Sequence, residues 1–265
     1  MNLSLFKSLW GYRGFVLGNV KREFQAKYQN SLLGALWNIL NPLSMIVVYT
    51  VIFSQVMHSR MPGVTNSFGY SIYLCSGILT WGLFAEVVGR GQNVFLEYAN
   101  LLKKISFPRL CLPVTIICNA LLNFSIVFSL FTLFLLVSGN FPGLSYFYLI
   151  PVLLVLMVFA IGLGITLGVL NVFFRDVGQF FGIALQFWFW LTPIIYPADI
   201  LPAKAQQYLS YNPMYGVITA AQNILVKSES PQLHQLIPTL FIGIILCVIG
   251  LKLFRKHSGE MVDEL

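Results

Sequence analysis

The sequence predicts an all-α integral membrane protein: six transmembrane helices, an N-terminal amphipathic helix lying along the membrane interface, and short helices on the outer face between spans five and six. Three observations lead there. Residues 110–174 contain no Asp, Glu, Lys or Arg, a run long enough to cross a bilayer twice at about 20 apolar residues per helix. The chain is 57% hydrophobic and 9% charged, against roughly 25% charged in a soluble domain. Finally, thirteen of the sixteen Lys and Arg fall on one side of the spans so drawn. The positive-inside rule makes that side cytoplasmic and places both termini there.

The elements follow in chain order. Residues 1–33 form the interfacial segment and 34–265 the transmembrane domain. Between Arg13 and Tyr28, Val16, Leu17, Val20 and Phe24 make one helical stripe, while Lys21, Arg22, Gln25 and Lys27 populate the rest, the pattern of a helix in a headgroup layer. The spans read as 34–56, 70–89, 110–137, 147–174, 177–196 and 236–254. Residues 90–109 form the largest cytoplasmic link, and 197–234 an outer-face region. Stretch 205–226 carries no charge but holds Gln206, Gln207, Asn212, Gln222 and Asn223, and Asn212-Pro213 interrupts it. Pro213 onward is therefore an amphipathic helix, re-entrant or surface-lying, and not a seventh crossing. No signal peptide is evident, because the first strongly apolar run is too long for one.

Several chemistries are disfavoured. The net charge of +7 comes from cations that flank spans, so anionic headgroups and partner proteins explain it better than nucleic acid. Cys75, Cys111, Cys118 and Cys247 lie in or beside spans without metal-ligand spacing, and read as small buried apolar residues. There is no G-x-x-x-x-G-K-[ST] to hold a nucleotide. Glu86 is the deepest carboxylate and precedes Arg90 by four residues, the order of a helical ion pair. No ionisable group is visible near a midplane, where a secondary transporter usually shows one, and the loops offer almost none of the carboxylates a glycosyltransferase needs.

Uncharged polar groups within spans remain. Span one has Asn38, Asn41, Ser44 and Tyr49, with Pro42 loosening its backbone; span three has Asn119 and Asn123. In span five, Gln179, Gly182, Gln186, Trp190 and Pro193 lie along one stripe beside Phe187, Trp188 and Phe189. Amides in spans serve helix packing, and aromatic rings serve interface belts. Together they also make a surface along which a sugar chain slides, rings against C–H faces and amides to hydroxyls. Gly162, Gly164 and Gly168, and Gly178 with Gly182, read as close helix approaches.

Three blocks carry a resemblance. They are KREFQAKYQNSLLG at 21–34, followed by Trp37 and Asn41-Pro42-Leu43; NLLKKISFPR at 100–109; and Arg175-Asp176-Val177-Gly178-Gln179, with Thr192-Pro193, Tyr196-Pro197 and Tyr211-Asn212-Pro213 beyond. In this the chain resembles the membrane-spanning subunits of ATP-binding-cassette polysaccharide exporters, the O-antigen and capsule type. It departs from them at Glu23-Phe24, where many relatives have Asp-Leu. The resemblance implies a bacterial inner-membrane homodimer paired with two cytoplasmic ATPase subunits, which bind the ATP and Mg; this chain itself is implied to hold no cofactor and to catalyse nothing. The cargo implied is a glycan on a polyprenyl pyrophosphate, with teichoic acid or drug export as the alternative within the superfamily.

Carried onto this chain, the resemblance assigns four groups. Asn38, Asn41, Tyr49, Gln179, Gln186, Phe189 and Trp190, from the amides and rings of spans one and five described above, would line its channel. Arg13, Lys21, Arg22 and Lys27, with an entrance loop at Ser31, Leu33 and Gly34, would receive the carrier headgroup. Glu97, Tyr98, Asn100, Lys103, Lys104 and Phe107 would couple to the ATPase, although Lys103 and Lys104 also serve to set topology. Tyr211, Asn212, Pro213, Met214 and Tyr215 would belong to a periplasmic gate. The topology makes its own prediction: a cysteine replacing Ser230 reacts with a membrane-impermeant maleimide in intact cells, and labelling only after lysis would contradict it.

Overall fold

A computed structural model describes residues 10–28, 36–52, 68–104 and 107–264, apart from the side chains at 27, 28, 38, 262 and 263. The described residues are helical almost throughout. Helix α1 is Arg13–Tyr28, α2 Trp37–Thr50, α3 Gly69–Glu97 and α4 Ala99–Lys104. Helix α5 is Cys111–Val137 and, after a 3-10 turn at Gly143–Tyr148, α6 is Leu149–Phe173. Then come α7 Asp176–Leu191, α8 Ala203–Leu209, α9 Pro213–Lys227, α10 Leu233–His257 and a terminal turn, α11, at Glu260–Glu264.

Among the described residues, four helical stretches are long and apolar enough to cross a membrane: Gly69–Glu97, Cys111–Val137, Gly143–Phe173 and Leu233–His257. They coincide with expected spans two, three, four and six. Helix α3 continues well past the expected end at 89, so its last two turns stand in the region assigned to the cytoplasmic link. The helices of spans one and five are shorter. At 16 residues, α7 is roughly 24 Å long, less than the ~30 Å hydrocarbon layer. It stops at Leu191, not at 196, because Thr192 precedes a proline and must be extended; its φ and ψ are −105° and 133°.

Helices α3, α6 and α10 form the centre, with α5 and α7 on its flanks and α9 packed against all three central helices. Close approach at the centre depends on small residues. A Cβ at Gly162 would sit 2.7 Å from the Cys247 backbone N, and one at Gly168 would sit 2.6 Å from the Gly91 carbonyl. Gly164 faces Gly91 in the same seam. Gly178 makes room for the Asn171 side chain, but Gly182 has open space around it. The expectation of a helix approach at Gly182 therefore fails within the subunit. Deeper in, Phe84 and Phe159 stack at 5.5 Å and 7°, and Trp188 meets both edge-on. Because Trp188 lies in the last turn of α7 while Phe84 is mid-way along α3, α7 ends part-way through the bundle.

Helix α9 starts there and leads back out. Asn212 caps it, its side-chain oxygen accepting the Met214 N–H at 3.0 Å, and Pro213 fills the first position, where no amide donor is needed. Its far end is tied to the 3-10 turn by the Ser145 hydroxyl donating to the Ser228 carbonyl at 2.8 Å. Met214, Val217, Ile218, Ala221, Ile224 and Leu225 are all buried. Helix α9 is therefore packed within the bundle.

The glycine seam gives a differential prediction. Gly162→Ala and Gly168→Ala force backbone apart and should each cost roughly 1–3 kcal/mol of stability, while Gly182→Ala should be neutral. Thermal unfolding in detergent, read by tryptophan fluorescence, checks this; equal melting of all three variants would contradict it.

Candidate functional site

The expected channel residues divide into two sets on different flanks. Helix α7 packs on α3 and α6 through Trp188 and Phe189 and presents the opposite face outward. Gln179, Gln186 and Trp190 lie on that open face, within about 40° of one another at 100° per residue. Phe180 and Phe187 flank them, also exposed. Neither Gln179 nor Gln186 hydrogen-bonds another described residue. Phe189 is half-buried, edge-on to Trp81 at 5.8 Å and to Trp190 at 5.5 Å. The α2 set sits elsewhere, because α2 packs on α5 and α3. Asn41 is exposed and borders a cleft of about 210 Å³ shared with Trp37, Glu86 and Asn123. Tyr49 is half-buried against the core, beside Met45, Cys75 and Ile78. The Asn38 side chain lies outside the described residues.

The break after α7 is built around one expected gate residue, Asn212, and several side chains that had no assigned role, Tyr70, Tyr73 and Gln222. Carbonyls at 193–196 have no helical partners, and inside a membrane protein they must find others. The Tyr73 hydroxyl donates to Pro193 and Tyr196 at 3.1 and 3.0 Å, Tyr70 donates to Ile195 at 2.5 Å, and Gln222 reaches Ile194 at 3.3 Å. Gly77 leaves space for Ile194 and Gln222. Asn212 is the knot: its oxygen also accepts the Trp188 indole N–H at 2.9 Å, and its amide donates to Thr192 Oγ1 at 2.9 Å. Of the expected gate residues, Asn212 and Pro213 thus start α9, Met214 is fully buried, Tyr215 is half-buried, and Tyr211 is exposed. Beside the break lies a cavity of about 460 Å³ lined by Trp188, Tyr196, Tyr208 and Leu209 among others.

At the opposite, basic end, α1 lies against α5. Val16 and Val20 are buried there against Cys111, with Val114 and Cys118 packed alongside. Leu17 is 64% exposed, so the apolar stripe expected from Leu17 is corrected. The docked face is Phe15, Val16, Val20 and Glu23, and hydrophobicity alone gave no weight to a carboxylate on it. Glu23 is the centre of this end. Arg90 Nη2 donates to Glu23 Oε2 at 2.5 Å, Asn119 Nδ2 donates to the same oxygen at 2.5 Å, and the Tyr98 hydroxyl donates to Oε1. Burial, then the Glu23 carboxylate holding its proton, pushes the Tyr98 phenol up, so it remains a donor. The expected Glu86–Arg90 pair is present only at 3.9 Å; Glu86 is held instead by Asn123 Nδ2 at 2.8 Å. Arg90 turns to Glu23 because that carboxylate is brought to it from α1 at full contact.

The remaining expected residues fall around this hub. Arg13 is exposed, donating to the Trp10 carbonyl at 3.2 Å with its guanidinium 5.5 Å from the Trp10 ring centre. Lys21 and Arg22 are exposed. The Lys27 side chain and Ser31, Leu33 and Gly34 lie outside the described residues. Glu97 ends α3, Tyr98 caps it, and α4 follows with Asn100, Lys103 and Lys104 all exposed. Phe107 packs on Phe15 of α1, ring centres 4.8 Å apart. Asn171, another residue the sequence reading passed over, is buried where α3, α6 and α7 meet. It donates to the Gln92 carbonyl at 2.9 Å and accepts the Gly178 N–H at 2.9 Å, satisfying a free amide of the first turn of α7.

Comparison with known proteins agrees with this architecture. The chain is 31% identical over 246 residues to the O-antigen export system permease protein RfbA of Klebsiella pneumoniae, covering 92% of both chains. It is 28% identical over 265 residues to RfbA of Myxococcus xanthus, 99% of this chain and 100% of that one. To the polysialic acid transport protein KpsM of Escherichia coli it is 25% identical over 251 residues, covering 92% and 93%. The family model for the ABC-2 type transporter matches residues 16–226, from the docked face of α1 to the end of α9, and the chain belongs to that family of membrane proteins.

Proposed function

We propose that this chain is the permease subunit of a polysaccharide exporter in the bacterial inner membrane. Two copies enclose a channel, two separate cytoplasmic ATPase subunits supply the energy, and the cargo is a glycan linked to polyprenyl pyrophosphate. The observation that carries this reading is the alignment, over nearly the whole chain, with permeases named for O-antigen export and polysialic acid transport.

The residues fit the task in three places. The exposed cations Lys21 and Arg22 on α1 meet a pyrophosphate at the headgroup layer while its lipid tail stays in the bilayer. The open face of α7 offers amides and an indole to a passing sugar chain: the amides exchange hydrogen bonds with hydroxyls, and the rings cover C–H faces. The short α4, with Lys103 and Lys104 exposed at its end, is the lever through which ATPase closure reaches α3 and α5.

Two outcomes test this. Gln186→Ala with Trp190→Ala should leave the complex with its ATPase intact on co-purification yet abolish glycan display at the cell surface; unchanged display removes that face from the path. Lys103→Glu with Lys104→Glu should lower export per ATP hydrolysed in proteoliposomes, and wild-type coupling in that variant would overturn the role of α4.

A further inference from the structure

The segment that follows α3 touches α1 at both of its ends. At the start, the Tyr98 hydroxyl donates to Glu23; at the end, Phe107 packs on Phe15. Glu23 and Phe15 are about two turns apart on α1, and Val16 and Val20 fix the helix to α5 between them. Helix α1 is thus clamped to a segment whose cations, Lys103 and Lys104, are exposed. Its own exposed cations, Lys21 and Arg22, adjoin Glu23 directly. We propose that Glu23 is the positioning residue that transmits movement between the ATPase-facing segment and the substrate-facing helix, with Arg90 exchanging between Glu23 and Glu86 as α1 docks and lifts. This rests on the exporter reading above and adds the route by which its two ends communicate.

The exchange follows from a mismatch of charge. Two carboxylates, Glu23 and Glu86, face one guanidinium. Arg90 is 2.5 Å from the first and 3.9 Å from the second, so the structure holds the docked arrangement. Stranding Arg90 half-buried without a carboxylate is costly. Glu86 is one turn away on the same helix and kept in place by Asn123, so it provides the second resting place when Glu23 leaves. An element with two discrete, separately satisfied arrangements is what a coupling step requires. Glu23 joins two of them: its carboxylate binds Tyr98 and Arg90 on the lever side and Asn119 on α5.

The test uses the full permease with its ATPase partner in nanodiscs, and Glu23→Gln, Glu23→Asp, Glu86→Gln and the reciprocal Glu23→Arg with Arg90→Glu. Amide exchange over residues 13–28 reads the clamp alone. Glu23→Gln should speed it about tenfold, the factor corresponding to about 1.4 kcal/mol for a lost charged hydrogen bond; Glu23→Asp and the swap should restore protection, and Glu86→Gln should increase it. A spin label on Gly18→Cys, a position with open space around it, reads transmission. Its spectrum should change on trapping with ATP and vanadate when Glu23 is present, and stay fixed in Glu23→Gln. Wild-type exchange in Glu23→Gln, or a label that responds equally with and without Glu23, overturns the proposal. A wild-type complex whose label responds while no glycan is exported refutes the cargo and leaves the clamp standing.

Discussion

The constraint that organises this molecule is that backbone groups within a membrane must be satisfied by the protein itself. A continuous helix meets it without help, and α3, α5 and α6 do so. Where the chain breaks, at Thr192-Pro193, four carbonyls are freed in the interior, and the surroundings are organised to receive them. Tyr70 and Tyr73 come from the first turns of α3, Gln222 from the middle of α9, and Gly77 leaves the space they need. Insertion of α9 into the bundle follows, because Gln222 reaches the break only if its helix is packed inside. Asn212 then locks the end of α7 to the start of α9. The short α7, the aromatic cavity beside it and the buried α9 are consequences of one interrupted ladder.

The basic end obeys the electrostatic form of the same rule. Glu23, Arg90, Tyr98 and Asn119 are each poorly placed alone; together every donor aimed at Glu23 has an acceptor and the carboxylate has three donors. Ionic groups of this kind contribute less to net stability than to fixing one arrangement over others, because desolvation offsets the attraction. Here the arrangement fixed is the position of α1 against α5. Val16 and Val20 supply apolar contact but no register along the groove; Glu23 supplies the register.

What the sequence made legible depended on whether a signal was local. The charge-free run, the cation asymmetry and the proline-punctuated ends located α5, α6 and α10 to within a few residues, though α3 runs on from the expected 89 to Glu97, and Asn212-Pro213 marked the start of α9. The glycines of α6 were read as packing positions, as the structure has them. The hubs were not legible in the same way. Glu23 pairs with residues 67, 75 and 96 positions away, and Asn171 ties Gly178, seven positions on, to Gln92, 79 positions back, so no local pattern announces them. A signal was nonetheless present: Glu23 follows Val20 by three and Val16 by seven, which puts a lone carboxylate on the buried side of a cationic helix. The α1 stripe went astray because an apolar count includes Leu17 and excludes Glu23. The i, i+4 rule correctly put Glu86 near Arg90 but had no means of knowing that a closer acid arrives from α1.

The same satisfaction rule separates structural amides from those facing the channel in the exporter reading. Asn119, Asn123, Asn171, Asn212 and Gln222 all find partners within the subunit, and their roles are complete there. Gln179 and Gln186 are exposed on α7 and bond no other described residue. Leaving such an amide against hydrocarbon costs several kcal/mol, roughly 2–7 depending on the reference state. A face of that kind therefore does not belong against lipid acyl chains. It belongs against water, a second copy of the chain or a hydroxyl-rich cargo, and a channel between two subunits presents all three to it. Phe180 and Phe187, exposed beside the stripe, supply the apolar border along which a partner helix seals such a channel from the bilayer. In the exporter reading these are the two surfaces a channel wall requires, on adjacent sides of one short helix.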